Sequence, residues 1–571
     1  MKTEKNDCRE PLSGKHIKII LFLILGVLCI GRIINANTFS PEYDELWSLR
    51  NYVTLPVAEI FRDVATPNNH TLNTLGMKLF TSPESVSFLS MRMPSILSFA
   101  LLGFLLICVS CRYLKRICLQ FVCMPVILLS GLILHYGEVA RGYIMQSFFA
   151  AGLFFALLRM TEEKESVRQQ LFWGGVWLAS CICCCLCVSS GVLYAAILTF
   201  TWKVCSFPWK ESLQRIWKEE RIFLISGLFF ALFVLLYYGG NYNAFARGQK
   251  QFGETFSSAG AFFQYAWSIL DESHLLYSLL LTLPGCFFLK GWRRKIAVAG
   301  SLSVILMVLS ALATKGGPVR IYIGLIPVAG FCAFVSLESL LEKLPRWKKE
   351  CTIGVSILLC AVTLFCHEKR RLYFADPDLG TAFYEIMQNV PQNLVVIYRP
   401  TDAYVISHLY GKTAKEDFAK RLVAPEGILL CHDPYVTGMR FPDFSTISFI
   451  PGEKAYRQSE AGPKLPLYYY PIRKLHKGED LRNKIIFCFV RGPVMELRTK
   501  ENFLKKHFAA VNGFFNPVQG MMPFYLFAAD GNELSTDGNK LSTDGNKLSA
   551  DGLIALENAR GGVLDFRVIG K

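Results

Sequence analysis

Two adjacent carboxylates stand shortly after the first long apolar run of the chain. The run covers about residues 17–36, and Asp44 and Glu45 follow it in a polar stretch. A carboxylate beside an apolar boundary is poorly solvated, so it is either held by a cation or hydrogen bonds, or poised to take up a proton. Such a group is a candidate general base. The alternative is a helix that begins at Pro41, where acidic residues favour the helix dipole.

Arginines, a further acid and tyrosines recur beside the ends of later apolar runs. These residues are Arg92, Glu138, Arg141, Tyr143, Arg320 and Tyr322. The planar guanidinium group matches the oxygens of a phosphate, so the arginines are candidates for binding a phosphate group. An arginine at the end of a membrane span can instead extend its charge to the interface. Lys315 is a weaker candidate cation, and His70 is either a site residue or a turn residue.

The early polar stretch also carries groups of the kind that bind metals. Asp44, Glu45 and Glu84 offer carboxylate oxygens, and His70 offers an imidazole. Their spacing matches no diagnostic metal motif. We therefore predict no metal site and no required cofactor, with a divalent cation left as an option.

The composition indicates a membrane protein. Of the 571 residues, 52% are hydrophobic and 19% are charged, and the mean hydropathy is +0.32. A soluble domain carries about 25% charged residues. The net charge is +16, but the basic residues stand in short clusters between apolar runs and form no continuous stripe with interleaved aromatic residues. A soluble enzyme, a disordered protein and a nucleic-acid-binding protein are therefore poor fits.

About eleven runs are long enough to cross a membrane, for which roughly 20 mostly apolar residues are needed. They lie near residues 17–36, 88–110, 119–135, 143–159, 171–188, 191–205, 222–240, 275–289, 296–313, 320–340 and 351–366. The first run follows a basic leader and lacks a small-residue cleavage site, which predicts an uncleaved anchor. The fifth and sixth runs are separated only by Ser189-Ser190-Gly191, so they form either a broken hairpin or one long helix.

The distribution of Lys and Arg predicts the orientation of these spans. Alternate connecting segments, beginning with the N-terminal leader, hold most of the basic residues, which is the pattern of cytoplasmic segments. The N-terminus is thus predicted inside, and an odd number of spans places the chain after about residue 367 outside. The candidate site residues then gather at the outer ends of several spans. A transporter would more often place ionisable groups near the bilayer midplane.

Residues 367–571 are numerous enough for a separate domain. Short β-branched and aromatic runs at 393–398, 427–431, 446–450, 484–490 and 523–527, with a helical stretch at 381–389, predict a mixed α/β domain. A seven-residue unit repeats within 530–552 and is predicted to form a flexible loop. Cys431 and Cys488 are the only cysteines of this tail, and they could pair if the compartment is oxidising.

The motifs together resemble those of the GT-C glycosyltransferases, in particular the family of protein O-mannosyltransferases and the bacterial lipid A aminoarabinose transferase. Asp44-Glu45 is similar to an Asp-Glu pair early in the family's first outer loop. Asn69-His70-Thr71-Leu72 is similar to a His-Pro turn, with Thr in place of Pro. Arg92-Met-Pro94-Ser95 resembles an Arg-Leu-Pro-Ser start of the second span.

Two later segments extend the resemblance, which covers about residues 17–340. Glu138-Val-Ala140-Arg141-Gly-Tyr143 resembles a Glu-Ala-Arg-x-Tyr second loop with Val inserted before Ala. Arg320-Ile-Tyr322, followed by Pro327, resembles a late basic element on the side of the lipid phosphate. The resemblance implies a polytopic α-helical membrane protein of GT-C type, with about eleven transmembrane helices in residues 1–366. Residues 367–571 would then be a C-terminal extracytoplasmic α/β domain, and the first outer loop, 37–87, would form short helices and carry the catalytic acids.

The resemblance also implies an activity and a set of residue roles. The expected reaction is transfer of a sugar, with inversion at the anomeric carbon, from a polyprenyl-phosphate donor to a lipid, glycan or protein acceptor at the outer face. Asp44 is expected to be the general base and Glu45 to position it or the acceptor. The arginines would stabilise the leaving lipid phosphate, and Glu138 would orient Arg141 or contact the sugar. Besides the donor and the acceptor, the expected partners are membrane lipids, and no nucleic acid is expected to bind. The expected location is the bacterial inner membrane within the cell envelope, with the C-terminal domain in the periplasm.

Two other functions remain open from the sequence. One is a lipid or polysaccharide transporter, which would call for polar residues around a midplane cavity and for internal repeats. The other is a non-catalytic scaffold that binds envelope glycans through its outer domain. A scaffold would tolerate the loss of Asp44, whereas the transferase would not.

Overall fold

A computed structural model gives the fold of the protein. It describes residues 14–38, 43–53, 55–62, 69–81, 87–162, 167–206, 213–240, 256, 258–314 and 318–342, together with nine β-strands between residues 394 and 568. The chain divides into two compact units. The first comprises residues 1–37 and 56–368, and the second comprises residues 38–55 and 369–571.

The first unit is helical. Its helices are α1 (Gly14–Thr38), α3 (Val57–Arg62), α4 (Thr71–Phe80), α5 (Phe88–Tyr113), α6 (Ile117–Leu128), α7 (Gly131–Tyr136), α8 (Tyr143–Met160), α9 (Val167–Cys187), α10 (Gly191–Ser206), α11 (Leu213–Gly239), α12 (Ala259–Glu272), α13 (Leu275–Phe288), α14 (Gly291–Thr314) and α15 (Ile326–Glu342). A 3-10 segment, Val319–Leu325, leads into α15. In an apolar solvent a helix satisfies every backbone hydrogen bond within one segment, so long apolar runs fold this way.

Within the described residues, seven helices are long and apolar enough to cross a membrane, and the chain is a multi-pass membrane protein on this basis. Three predicted spans correspond to shorter apolar helices in α6, α10 and α13. The predicted span near 351–366 lies outside the described residues, so the count of eleven stays a prediction. The run at 171–205 forms two helices, since α9 ends at Cys187 and α10 begins at Gly191.

The predicted span near 119–135 is wrong as a single helix. It consists of α6 and the short α7, with a break at Ser130, whose backbone is extended (ψ 137°). The apolar composition continues through the break because Leu132, Ile133 and Leu134 of α7 are all buried against the bundle. Hydropathy alone cannot detect such a break, since both sides of it are buried in protein.

Helix α8 lies at the centre of the bundle and positions the site described below. It packs against α5, α9, α10 and α15, and most of its residues are buried. Its buried polar residue Gln146 donates a hydrogen bond to Ser190 Oγ (3.0 Å) between α9 and α10. The N-terminus of α8 is therefore held on several sides.

The basic segments predicted to face the cytoplasm meet acidic partners at one end of the bundle. Glu162 accepts hydrogen bonds from Arg112 (2.6 Å) and from Tyr113. Glu338 is buried and accepts hydrogen bonds from the backbone N–H groups of Lys115 and Arg116, both at 2.7 Å. These contacts connect α5, α6, α8 and α15 where their charged ends meet.

The second unit contains the short helix α2 (Tyr43–Ser48), a π-helical turn (Leu49–Val53) and the strands of the tail. The strands are β1 (Leu394–Tyr398), β2 (Leu429–His432), β3 (Ile485–Phe489), β4 (Phe508–Asn516), β5 (Met522–Ala529), β6 (Ser535–Asp537), β7 (Lys540–Thr543), β8 (Asn546–Leu548) and β9 (Val563–Val568). Six form one mixed sheet in the order β2-β1-β3-β5-β4-β9. The runs at 446–450 and 381–389 lie outside the described residues, so the α/β class of this domain stays a prediction.

The heptapeptide repeat supplies a separate antiparallel sheet, β6-β7-β8. Asp537 pairs with Lys540, and Thr543 pairs with Asn546. The connections are Gly538-Asn539 and Asp544-Gly545, residue types that favour tight hairpins. Each copy of the repeat therefore contributes a strand and a turn sequence, where a flexible loop was expected.

The strand register decides whether Cys431 and Cys488 can form a disulfide. Both residues pair with Ile397 of β1, one from the β2 side and one from the β3 side. Neighbouring strands lie about 4.8 Å apart, so the two Cα atoms are separated by about 10 Å. A disulfide requires Cα atoms within about 7 Å, so this sheet does not allow the pairing.

Candidate functional site

His70, at the start of α4, makes a buried contact with the start of α8. The backbone N–H of Gly142 donates a hydrogen bond to His70 Nδ1 (3.0 Å), and the His70 side chain is buried. A neutral imidazole that accepts at Nδ1 carries its proton on Nε2. Burial and then the Arg141 and Arg320 charges lower the pKa of His70 well below its usual value, so the ring stays neutral.

Gly142 permits this contact because it has no side chain. A Cβ atom at this position would lie 2.7 Å from His70 Nδ1 and 2.6 Å from the carbonyl oxygen of Cys187. Both distances are far inside van der Waals contact. The glycine therefore lets α4, the start of α8 and the end of α9 meet at one point.

Tyr143, the first residue of α8, links the predicted arginines. Its hydroxyl accepts a hydrogen bond from Arg320 Nε (3.0 Å), and the Arg141 guanidinium lies 5.7 Å from its ring centroid. Its ring also meets the ring of His70 edge to face at 4.9 Å. The structure thus brings together residues from three separate sequence motifs, namely His70, the pair Arg141 and Tyr143, and Arg320.

Glu138 joins a different pair of residues. It accepts hydrogen bonds from Arg32 Nη1 (2.5 Å) and Asn35 Nδ2 (3.0 Å), both on α1. Arg32 and Asn35 were missed by the sequence analysis. The signal was available, because Arg32 is a charged residue inside an apolar run, which calls for a partner.

Arg92 and Tyr322 are both buried. Arg92 Nη1 donates to the carbonyl oxygen of Ala36 (2.9 Å), near the C-terminus of α1, where a cation favours the helix dipole. The hydroxyl of Tyr322 lies 3.1 Å from that of Tyr265 on α12. Each residue therefore has a structural contact, and roles in donor binding stay predictions. Lys315 and Glu84 lie outside the described residues.

Asp44 and Glu45 belong to the second unit and are described with it. Both lie in the first turn of α2, where carboxylates favour the helix dipole, as the alternative explanation anticipated. Asp44 is partly exposed and Glu45 is fully buried. The hydroxyl of Ser48 donates to the Asp44 carbonyl oxygen (3.0 Å), which stabilises this turn.

The chemistry available in the first unit is that of an anion site. Arg141 and Arg320 supply positive charge, and His70 supplies a neutral N–H donor. Among the described residues, no group of three or more His, Cys, Asp or Glu side chains is arranged to hold a metal ion. His70 itself offers no lone pair to a cation, because Nδ1 accepts from Gly142 and Nε2 carries the proton.

No protein-family model matches the sequence, and no curated protein matches it. The structure is similar to that of ArnT from Cupriavidus metallidurans bound to undecaprenyl phosphate, with a TM-score of 0.48 and 12% identity, covering 76% of this chain and 95% of ArnT. It is also similar to an oligosaccharyltransferase from Archaeoglobus fulgidus, with a TM-score of 0.44 and 10% identity, covering 90% of this chain and 73% of that one. At these TM-scores the similarity carries no functional argument. Both neighbours are glycosyltransferases of the GT-C type, the class of protein that the sequence motifs resemble.

Proposed function

We propose that the protein is an integral-membrane glycosyltransferase that uses a polyprenyl-phosphate-linked sugar. The proposal rests on the contacts among the buried residues Arg141, Tyr143 and His70 and the half-buried Arg320, at one end of an apolar helical bundle. Positive charge and N–H donors that are screened from water favour an anion strongly. A lipid phosphate fits both features, because its chain can contact the apolar helices while its phosphate contacts the cationic site.

The proposed reaction divides the work between acids and arginines. An acceptor hydroxyl attacks the anomeric carbon, with inversion, while Asp44 takes its proton and Glu45 orients Asp44 or the acceptor. The bond from the anomeric carbon to the phosphate oxygen breaks, and the charge of the leaving polyprenyl phosphate is stabilised by Arg141 and Arg320. Arg92 and Lys315 are further candidate cations for this phosphate. The acceptor is a lipid, a glycan or a protein, and the site faces the outer side of the bacterial inner membrane.

The test uses purified protein in detergent with a panel of polyprenyl-phosphate sugars and an envelope extract as the source of acceptors. The measurement is release of free polyprenyl phosphate by wild type, Asp44→Asn and Glu59→Gln. Removing a general base lowers the rate by about 10²–10⁴-fold. We expect this loss for Asp44→Asn and wild-type turnover for Glu59→Gln, an exposed carboxylate on α3.

Two outcomes would contradict the proposal. Equal release by wild type and Asp44→Asn would remove Asp44 as the base. Failure of the folded wild-type protein to turn over any donor would favour a transporter or a glycan-binding scaffold.

A further inference from the structure

The Nε2 atom of His70 is buried and has no hydrogen-bond partner among the residues that the structure describes. The side chain is 2% exposed, and Nδ1 is already used by the Gly142 N–H. Buried polar atoms in folded proteins are almost always paired, so an unpaired donor calls for an explanation. Because the Nδ1 contact places the proton on Nε2, the unpaired group is an N–H donor.

A second unpaired polar atom lies one helical turn further along α4. Asn73 is 1% exposed, and in the described part of the chain its Oδ1 has no partner, while its Nδ2 contacts the sulfur of Met77 (3.5 Å). Residues three positions apart share a face of a helix. The same face at the start of α4 thus carries two buried polar groups that the described protein atoms do not satisfy.

The surroundings of His70 favour an anionic oxygen as the partner. Arg141 and Arg320 both act electrostatically on His70, and Tyr143 contacts His70, Arg141 and Arg320. A cationic surrounding stabilises a negatively charged acceptor and disfavours a second cation. A neutral donor adds a hydrogen bond to an anion here without adding a further repulsive charge.

We propose that His70 is a donor-binding residue whose Nε2–H donates a hydrogen bond to a phosphate oxygen of the polyprenyl-phosphate donor. This inference rests on the proposed function and deepens it, because it assigns His70 a neutral, non-basic role. Nε2 is closed to solvent. Binding of the phosphate at this atom therefore requires the side chains that cover it to move. His70 is neither a general base nor a metal ligand in this arrangement.

Two substitutions distinguish the acceptor role of His70 Nδ1 from the donor role of Nε2. In His70→Asn the amide oxygen can take the place of Nδ1 and accept from Gly142, but the distal donor is lost. In His70→Gln the distal amide can take the place of Nε2 and donate, but the acceptor for Gly142 is lost. His16→Asn, an exposed position on α1, is the matched control.

The measurement is the affinity of each full-length protein in detergent for undecaprenyl phosphate and for undecaprenol, which lacks the phosphate. A hydrogen bond to a charged group corresponds to about a tenfold or larger change in affinity. We expect His70→Asn to lose about that factor for the phosphate and nothing for the alcohol. His70→Gln should keep most of the phosphate affinity with a lower thermal midpoint, and His16→Asn should match wild type.

The ¹⁵N signal of Nε2 gives a readout that a purely structural role would not move, namely its response to undecaprenyl phosphate. Imidazole ¹⁵N spectra should show His70 protonated at Nε2 and not at Nδ1 from about pH 5.5 to pH 8. This range extends to both sides of the usual pKa of histidine. Undecaprenyl phosphate should shift the Nε2 signal. An imidazolium, or a proton on Nδ1, would overturn the assignment.

The two proposals fail in different ways. Wild-type protein that does not prefer undecaprenyl phosphate over undecaprenol would overturn the proposed function and this inference together. Wild type that prefers the phosphate while His70→Asn binds it equally well would overturn only the role of His70. That second result is also the one expected if a buried water molecule satisfies Nε2.

Discussion

At the scale of single residues, Glu138 is held by two residues of α1. Its carboxylate accepts hydrogen bonds from Arg32 and Asn35, and the Arg32 and Glu138 side chains are 9% and 14% exposed. Removing one partner of a buried ion pair leaves an uncompensated charge and costs about 3–5 kcal/mol. Glu138 therefore anchors the first helix to the segment that carries Arg141.

We predict that Glu138→Gln destabilises the protein by about 3 kcal/mol, because Arg32 keeps its charge without a counterion. Thermal unfolding in detergent measures the effect. The double variant Arg32→Met with Glu138→Met should recover most of the stability, since an apolar pair can replace a buried ion pair.

Glu342→Gln is the control for this prediction. Glu342 pairs with Arg293 but is 40% exposed, and an exposed pair contributes at most about 1 kcal/mol. If Glu138→Gln keeps wild-type stability and loses only donor binding, Glu138 contacts the ligand and is not an anchor.

At the scale of elements, the start of α8 is where the site is assembled. Gly142 brings α4 and α9 to the first turn of α8, and the next residue, Tyr143, contacts Arg141, Arg320 and His70. A backbone carbonyl, that of Cys187, closes the space beside Gly142. Backbone cannot rotate away as a side chain does, so the packing at this point is strict.

We predict that Gly142→Ala destabilises the protein by about 1–3 kcal/mol, because the added methyl group overlaps with His70 and with the backbone. It should also weaken undecaprenyl phosphate binding, since His70 must shift. Thermal unfolding and ligand titration check both effects.

Gly175→Ala on α9 is the matched control. A Cβ atom there has nothing within 4 Å, and alanine favours a helix by about 1 kcal/mol over glycine. This variant should unfold at the wild-type temperature or slightly above it. An equal effect of the two substitutions would mean that the tight contact at Gly142 has no special role.

At the scale of the whole molecule, the two ends of the helical unit carry different sets of charged residues. One end holds the basic segments paired with Glu162, Glu220 and Glu338, and the other holds Arg92, Arg141 and Arg320. The excess of Lys and Arg in the first set is the pattern of cytoplasmic segments. The prediction that follows is that the end with Arg92, Arg141 and Arg320 faces the outer side of the membrane.

We predict that both termini report this orientation. A green fluorescent protein fused to the N-terminus should fluoresce, whereas one fused to the C-terminus should stay dark because it does not fold after export. An alkaline phosphatase fused to the C-terminus should be active, since it requires the outer side. A fluorescent C-terminal fusion would require an even number of spans and would contradict the predicted outward position of the tail.

Much of the architecture follows from local sequence, because the bilayer requires each apolar run that crosses it to form a helix. A run of apolar residues must form a helix in lipid, so α1, α5, α8, α9, α11 and α14 lie where hydropathy predicted them. The runs at 393–398, 427–431, 484–490 and 523–527 coincide with strands for a similar reason, since β-branched and aromatic residues favour pleated structure. The arginines and His70 were identified from residue type alone, and their functional roles stay predictions.

The amino-acid sequence alone shows which residues carry charge and which segments are apolar, because both are properties of single residues and short runs. The tertiary structure decided which charges meet. The break between α6 and α7, the pairing of Glu138 with Arg32, and the separation of Cys431 from Cys488 all depend on contacts between distant segments. The same holds for the Nε2 donor of His70, which is identified only because Gly142, 72 residues away, occupies Nδ1.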